Sequence, residues 1–162
     1  MAIHKLDLGE FDEIDYYLIA IHTSLEDYRL AFFINQKLPV ILSKSENEIQ
    51  INIKEGETNF SRFYYSDKES TITWNLIQNK NEVIQYKKGK TPNLFSGVTM
   101  EVATKVFLLP EFKKVDYFLK IENNDDTMNV SNIQLLLNTI DSISTVYVVE
   151  TNKIKSKNNL IF

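Results

Sequence analysis

The sequence predicts one α+β domain, built on a largely antiparallel sheet of about six to eight strands with two main helices. Three observations support this prediction. The chain has 162 residues, the size of a single domain. Most apolar residues fall in strand-length segments, and only two segments have a helical period. The order reads as a strand and a helix, a β-meander, and then two strands, a helix and a strand.

The first two elements are a buried strand and a helix. Residues 14–22 are apolar almost without interruption, which predicts a strand buried on both faces. Ser24 is the predicted N-cap of a helix over residues 25–36, because serine caps helix starts and two acids follow it. Pro39 ends this helix, since the residue before a proline avoids the helical conformation.

The middle of the chain predicts a meander of strands. Residues 49–53 alternate apolar and polar side chains, residues 71–76 do the same, and residues 59–65 are aromatic on both faces. The segment Asn79-Lys80-Asn81 is a predicted turn, because asparagine favours turns. A further strand should follow it over residues 83–87.

The last third predicts strands over residues 101–108 and 115–122, a helix over 132–142, and a strand over 146–149. The helix start is read from Ser131 and Gln134, which match a capping box. Residues 1–150 thus form the predicted domain. Residues 151–162 are mostly polar and predict a flexible C-terminal tail.

Composition excludes several classes of function. The net charge of −4 disfavours nucleic-acid binding as the main activity, and the lack of cysteine removes thiolate metal sites and disulfides. The two histidines are too far apart for a zinc motif, and no glycine-rich phosphate loop is present. We therefore predict no catalytic set, no cofactor and no metal. Because no signal peptide or membrane-length apolar run is visible, we expect a cytoplasmic protein.

The leading hypothesis is a small non-enzymatic protein-binding or adaptor domain, with a protein partner or a second copy of the chain. Phe118 lies on the otherwise polar face of its strand, and an aromatic centre with a charged border is typical of protein interfaces. Two structural alternatives stay open. In the first, a helix covers the face that holds Phe118. In the second, Glu111 caps the turn that Pro110 begins and Asp116 forms an ion pair with a lysine, so that neither acid contacts a partner. The predicted contact residues are Glu111, Phe112, Lys113, Lys114, Asp116 and Phe118.

Two further hypotheses belong to other classes of function. A small-ligand site or enzyme could use His22 and Ser24, because strand ends that lead into helices often gather active sites, with residues 88–99 as a lid. An RNA-associated protein could stack bases on the aromatics of residues 59–65, flanked by Arg62 and Lys87.

Residues 109–117 carry the one signature in the chain, Leu109-Pro110-Glu111-Phe112-Lys113-Lys114-Val115-Asp116-Tyr117. This segment resembles the motif of the bacterial IPExxxVDY family, with Leu109 in place of the motif's isoleucine. Five residues match at fixed spacing. The resemblance implies a family, but it implies no particular activity, cofactor or partner.

Overall fold

A computed structural model describes residues 16–54, 56–88, 99–122 and 128–162. Within these ranges the helices are α1 (Asp27–Lys37) and α2 (Val130–Asn138). The strands are β1 (Tyr16–Thr23), β2 (Ser43–Lys44), β3 (Ile49–Ile53), β4 (Gly56–Phe60), β5 (Arg62–Ser66), β6 (Thr73–Gln78), β7 (Lys80–Lys88), β8 (Thr99–Phe107), β9 (Tyr117–Glu122) and β10 (Ile143–Val148). Short 3₁₀ turns span Pro110–Phe112, Thr151–Lys153 and Lys157–Leu160.

In the described part of the chain, six strands form one antiparallel sheet in the order β10-β1-β9-β6-β5-β2. The pairs β3–β4 and β7–β8 form two smaller antiparallel ribbons. The predicted α+β class, with two helices and a mostly antiparallel sheet, is confirmed. Among the described residues, neither helix is long and apolar enough to cross a membrane.

The strand β1 lies inside the sheet, although it is the first in the chain. Tyr16 pairs with Glu122 of β9, and Ile19 pairs with Val148 of β10. Residues 18–21 are fully buried, because apolar layers cover both faces of the sheet. This double burial explains the unbroken apolar run.

A different layer covers each face of the sheet. The helices and residues 38–42 cover one face, where Leu30, Ile34 and Leu137 are buried against Ile19 and Leu119. The second face has a separate cluster, drawn from both ribbons, the turn before β9 and the C-terminal tail. Its buried members are Leu18, Ala20, Ile49, Phe60, Ile77, Val106, Leu108, Leu109, Val115, Phe118, Val149, Ile154 and Leu160.

Both helices begin at a different residue from the predicted one. Helix α1 begins at Asp27 after an extended Glu26, and Ser24 is exposed and does not cap it. The neighbouring Thr23 hydroxyl accepts the Leu25 N–H and donates to the Ser142 carbonyl, which keeps this segment extended. Helix α2 begins at Val130, because the Asn129 side chain accepts the Asn132 N–H at 3.1 Å.

The predicted turn at Asn79 is wrong, because the chain continues from β6 into β7 at this residue. The Asn79 N–H donates to the Asp116 carbonyl at 2.9 Å, which extends the β6–β9 ladder. The Asn79 carbonyl accepts the Leu108 N–H at 2.9 Å, which extends the β7–β8 ladder. One residue thus joins the main sheet to the β7–β8 ribbon.

The C-terminal tail, predicted to be polar and flexible, packs on the domain. Its two buried apolar residues, Ile154 and Leu160, belong to the cluster on the second face. The Asn159 side chain donates to the Leu108 carbonyl at 2.8 Å. The sequence prediction missed these two residues because the segment is mostly polar. They are buried at either end of the polar stretch 155–159, and their burial holds the tail on the domain.

Candidate functional site

The nine residues of the signature form the connection between β8 and β9. After β8 the chain makes the 3₁₀ turn Pro110–Phe112, with a 2.9 Å bond from the Phe112 N–H to the Leu109 carbonyl. The Val115 N–H then donates to the Phe112 carbonyl at 3.1 Å. Proline suits the first position of such a turn because its missing N–H would have no partner there.

The side chain of Asn79 fixes the backbone of this turn through three hydrogen bonds. Its side-chain N–H groups donate to the carbonyls of Phe112 at 2.9 Å and Val115 at 2.8 Å, and its oxygen accepts the Leu109 N–H at 2.9 Å. The residue is fully buried, so water cannot replace these bonds. Sequence reasoning missed this role. The available signal was a polar residue between two strand patterns, which is equally typical of a turn.

Asp116 connects the signature to two distant elements. One carboxylate oxygen accepts the Thr23 N–H at 2.9 Å, and the other accepts the Lys80 ammonium at 2.8 Å. The open alternative, in which Asp116 pairs with a lysine, is confirmed. Both oxygens have partners within the chain, and the prediction of Asp116 as a partner contact stays a prediction.

Glu111 holds the C-terminal tail. Its carboxylate accepts the backbone N–H groups of Lys155 at 2.9 Å and Ser156 at 2.8 Å, and the Ser156 hydroxyl at 2.9 Å. Burial acts to raise the pKa of Glu111, but these hydrogen bonds outweigh it and the pKa lies below its ordinary value. Glu111 is therefore an ionised acceptor that anchors the tail, and both its oxygens have partners.

We expect Glu111→Gln to lower the free energy of unfolding by about 1–2 kcal/mol at neutral pH, because charge-assisted bonds are lost. Since the folded-state pKa is below the ordinary 4.5, this contribution is present above about pH 4.5 and disappears as the pH falls through the folded pKa. Urea unfolding at several pH values measures it. Glu101→Gln, at an exposed position on β8, is the control. A difference that persists at low pH would contradict the assignment.

Phe118 is fully buried, so its prediction as a contact residue is wrong. Its ring packs edge-on against Phe112, with centroids 5.9 Å apart. The cover is the proline turn and the C-terminal tail, whose Ile154 and Leu160 share its cluster, and not a helix. The polar pattern of β9 misled the sequence reasoning because its Lys120 is itself buried on this face.

The other residues of the predicted contact surface line one pocket of about 490 Å³, the proline-turn pocket. Phe112 and Tyr147, from β10, supply aromatic surface, and burial raises the pKa of Tyr147. Lys113 and Lys114 are exposed at this pocket, and no ion pair joins either one to another described residue. Its lining residues are Pro110, Glu111, Phe112, Lys113, Lys114, Val115 and Tyr147.

His22 and Ser24 do not share a site. Ser24 lines a pocket of about 250 Å³ beside Asp116 and Tyr117, whereas the His22 ring lies against Tyr147, with centroids 5.7 Å apart. The Tyr117 hydroxyl donates to the Leu25 carbonyl at 2.8 Å. Burial, with nearby carboxylates, raises the pKa of Tyr117 to about 12. Most of the predicted lid, residues 89–98, lies outside the described residues.

The aromatic segment of the RNA hypothesis is only partly accessible. Phe60 and Phe63 are buried, and Tyr64 is partly exposed beside the Arg62 guanidinium, which lies 5.3 Å from its ring centroid. The Lys87 side chain lies outside the described part of the structure. Half of the predicted base-stacking residues therefore belong to the core.

The comparisons with known proteins do not place the chain. No family model, no curated protein and no solved structure matches it. The IPExxxVDY resemblance of residues 109–117 therefore stays a prediction. Among the described residues, no group of three or more metal-ligating side chains is placed to hold an ion.

Proposed function

We propose that the chain is a small, non-enzymatic protein-binding domain of the cytoplasm, which holds a short acidic segment of a partner in the proline-turn pocket. One observation supports this proposal. The pocket is lined by the aromatic rings of Phe112 and Tyr147, and its two exposed lysines form no ion pair with the described residues. An apolar side chain of the partner would enter between Phe112 and Tyr147. Carboxylates beside it would meet Lys113 and Lys114.

The pocket is well suited to binding because its backbone is held before a partner arrives. Asn79 binds the turn on its buried side, and Glu111 binds the tail on its outer side. A site that is already ordered loses little conformational entropy on association. The turn thus supplies a pre-ordered support, and residues Phe112 to Lys114 supply the contact.

The charges at the pocket favour an acidic partner. Glu111 also lines the pocket, but its carboxylate accepts hydrogen bonds from the backbone and the hydroxyl of Ser156 in the tail. The lysines are therefore the charges that remain available to a partner. Complementary charge speeds association and rejects like-charged competitors, so binding should weaken as salt is added.

The test is a photo-crosslinking residue placed at Lys113, followed by identification of the crosslinked segment and measurement of its affinity as a peptide. We expect an acidic segment with an apolar anchor, and Lys113→Glu with Lys114→Glu should weaken it by about tenfold or more. Lys68→Glu with Lys105→Glu, at two exposed lysines elsewhere, is the matched control. Equal loss in both double variants, or a basic segment, would refute the proposal.

A further inference from the structure

A second polar site lies on the sheet face that the tail covers. Tyr64 of β5 pairs with Asn75 of β6, which pairs with Lys120 of β9, so the three form a row across neighbouring strands. Arg62 is two residues from Tyr64 and therefore shares its face. The Arg62 Nε–H donates to the Asn75 side-chain oxygen at 2.8 Å. This face thus brings two cations together beside an amide and a tyrosine.

Phe162 of the tail occupies this site. Its ring centroid lies 4.8 Å from the Arg62 guanidinium and 4.9 Å from the Lys120 ammonium, so both cations contact one aromatic ring. The Lys120 ammonium also donates to the Leu160 carbonyl at 2.7 Å. The tail therefore presents an aromatic ring and an acceptor oxygen to the two cations.

The two cations of the site differ in their partners. Lys120, only 6% exposed, pairs with Glu122. Burial lowers the pKa of Arg62, and no ion pair within the described residues joins Arg62 to a carboxylate. Arg62 thus has an amide acceptor and an aromatic ring as neighbours, but no anion is paired with it among the described residues. An occupant that keeps the ring contact and adds an anion would gain a charge-assisted pair with Arg62.

The ring of Phe162 is held weakly compared with the tail behind it. Phe162 is 45% exposed and Ile161 is 77% exposed, whereas Leu160 is buried and Asn159 is bonded to the Leu108 carbonyl. Residues 161–162 can therefore move away from the two cations while Leu160 stays buried. A ligand would compete with one ring and would not need to unfold the tail.

We propose that Arg62 and Lys120 form a nucleotide-binding site in which an unpaired base displaces the Phe162 ring and the phosphate pairs with Arg62. Arginine both stacks on flat rings and binds phosphate through two N–H groups, and bases stack on such platforms without sequence preference. The nucleotide has two possible sources, single-stranded RNA or a free mononucleotide. A single guanidinium for the phosphate implies few phosphate contacts and a small salt dependence.

The experiment measures the binding of a short fluorescent oligouridylate by anisotropy and of uridine monophosphate by calorimetry. We expect Phe162→Ala to raise the affinity by about tenfold, because the internal competitor is removed. Arg62→Gln should reduce it by at least about tenfold, since stacking and the phosphate contact are both lost. Tyr86→Ala and Lys105→Gln, at exposed positions on the β7–β8 ribbon, should leave it unchanged.

Each outcome decides the proposal. Oligouridylate binding with weak mononucleotide binding supports RNA as the source, and equal affinity per nucleotide supports the free nucleotide. Unchanged or weaker binding in Phe162→Ala overturns the proposal, as does full binding in Arg62→Gln. Displacement of Phe162 by an acidic aromatic peptide, with no nucleotide binding, would also overturn it. Thermal unfolding of each variant shows whether it is folded. If Arg62→Gln proves unstable, the affinity of Phe162→Ala alone decides between the outcomes.

Discussion

Replacing Phe118 by alanine is expected to lower the free energy of unfolding by about 3–5 kcal/mol, because the change opens a cavity in a packed core. The side chain is fully buried and touches the ring of Phe112 edge-on. Loss of this ring also removes support for the proline turn and for Leu160 of the tail, which share its cluster. Urea unfolding followed by circular dichroism measures the change.

Phe32→Ala is the matched control for Phe118→Ala. Phe32 lies on α1 and is 57% exposed, so the same change in chemistry should cost no more than about 0.5 kcal/mol beyond the loss of its contact with Phe33. Equal effects at the two positions would show that Phe118 does not lie in the core. The comparison separates burial from residue type.

Replacing Asn79 by alanine is expected to cost about 3–4 kcal/mol, since it leaves two buried backbone groups without their side-chain partner and removes a third hydrogen bond. The two buried groups are the Leu109 N–H and the Val115 carbonyl, whereas the Phe112 carbonyl keeps its bond from the Val115 N–H. Because these residues line or support the proline-turn pocket, the proposed partner binding should weaken in parallel. Chemical unfolding gives the stability, and hydrogen exchange at the Leu109 amide gives the local effect.

Two variants make the Asn79 experiment specific. Asn79→Asp keeps the oxygen that accepts the Leu109 N–H but replaces the donor to the two carbonyls, so it should be at least as destabilising as alanine. Asn138→Ala, at an exposed residue at the end of α2, should change stability by less than about 0.5 kcal/mol. Protection of the Leu109 amide in Asn79→Ala would contradict the role assigned to Asn79.

The elements that could be predicted from the sequence are those with a local pattern. The unbroken apolar run before Thr23 gave a strand buried on both faces, and the alternation at Ile49, Ile51 and Ile53 gave β3. Both helices were predicted from their apolar period, although their caps were not. A cap depends on where the preceding segment bends, as at Glu26, and tertiary contacts of Thr23 determine that bend.

The parts that could not be predicted depend on residues far apart in the chain. Asn79 looks like a turn former until Leu109 and Val115 are known to lie beside it. Phe118 looks exposed because its strand alternates, and the packing of the proline turn and of residues 154–160 buries it. The candidate site follows the same rule. Lys113 and Lys114 could be identified as a charged border, but Tyr147 joins them only through the fold.

The interior position of β1 has a consequence for the synthesis of the protein. Chains emerge from the ribosome N-terminus first, so β1 is made long before β9 and β10, the strands on either side of it. Until residues 117–122 and 143–148 exist, the four apolar side chains at 18–21 have neither of their native neighbours. The nascent chain therefore exposes an apolar, unpaired strand until β9 and β10 have been synthesised. A chaperone that shields this strand would act on the chain before the sheet can close.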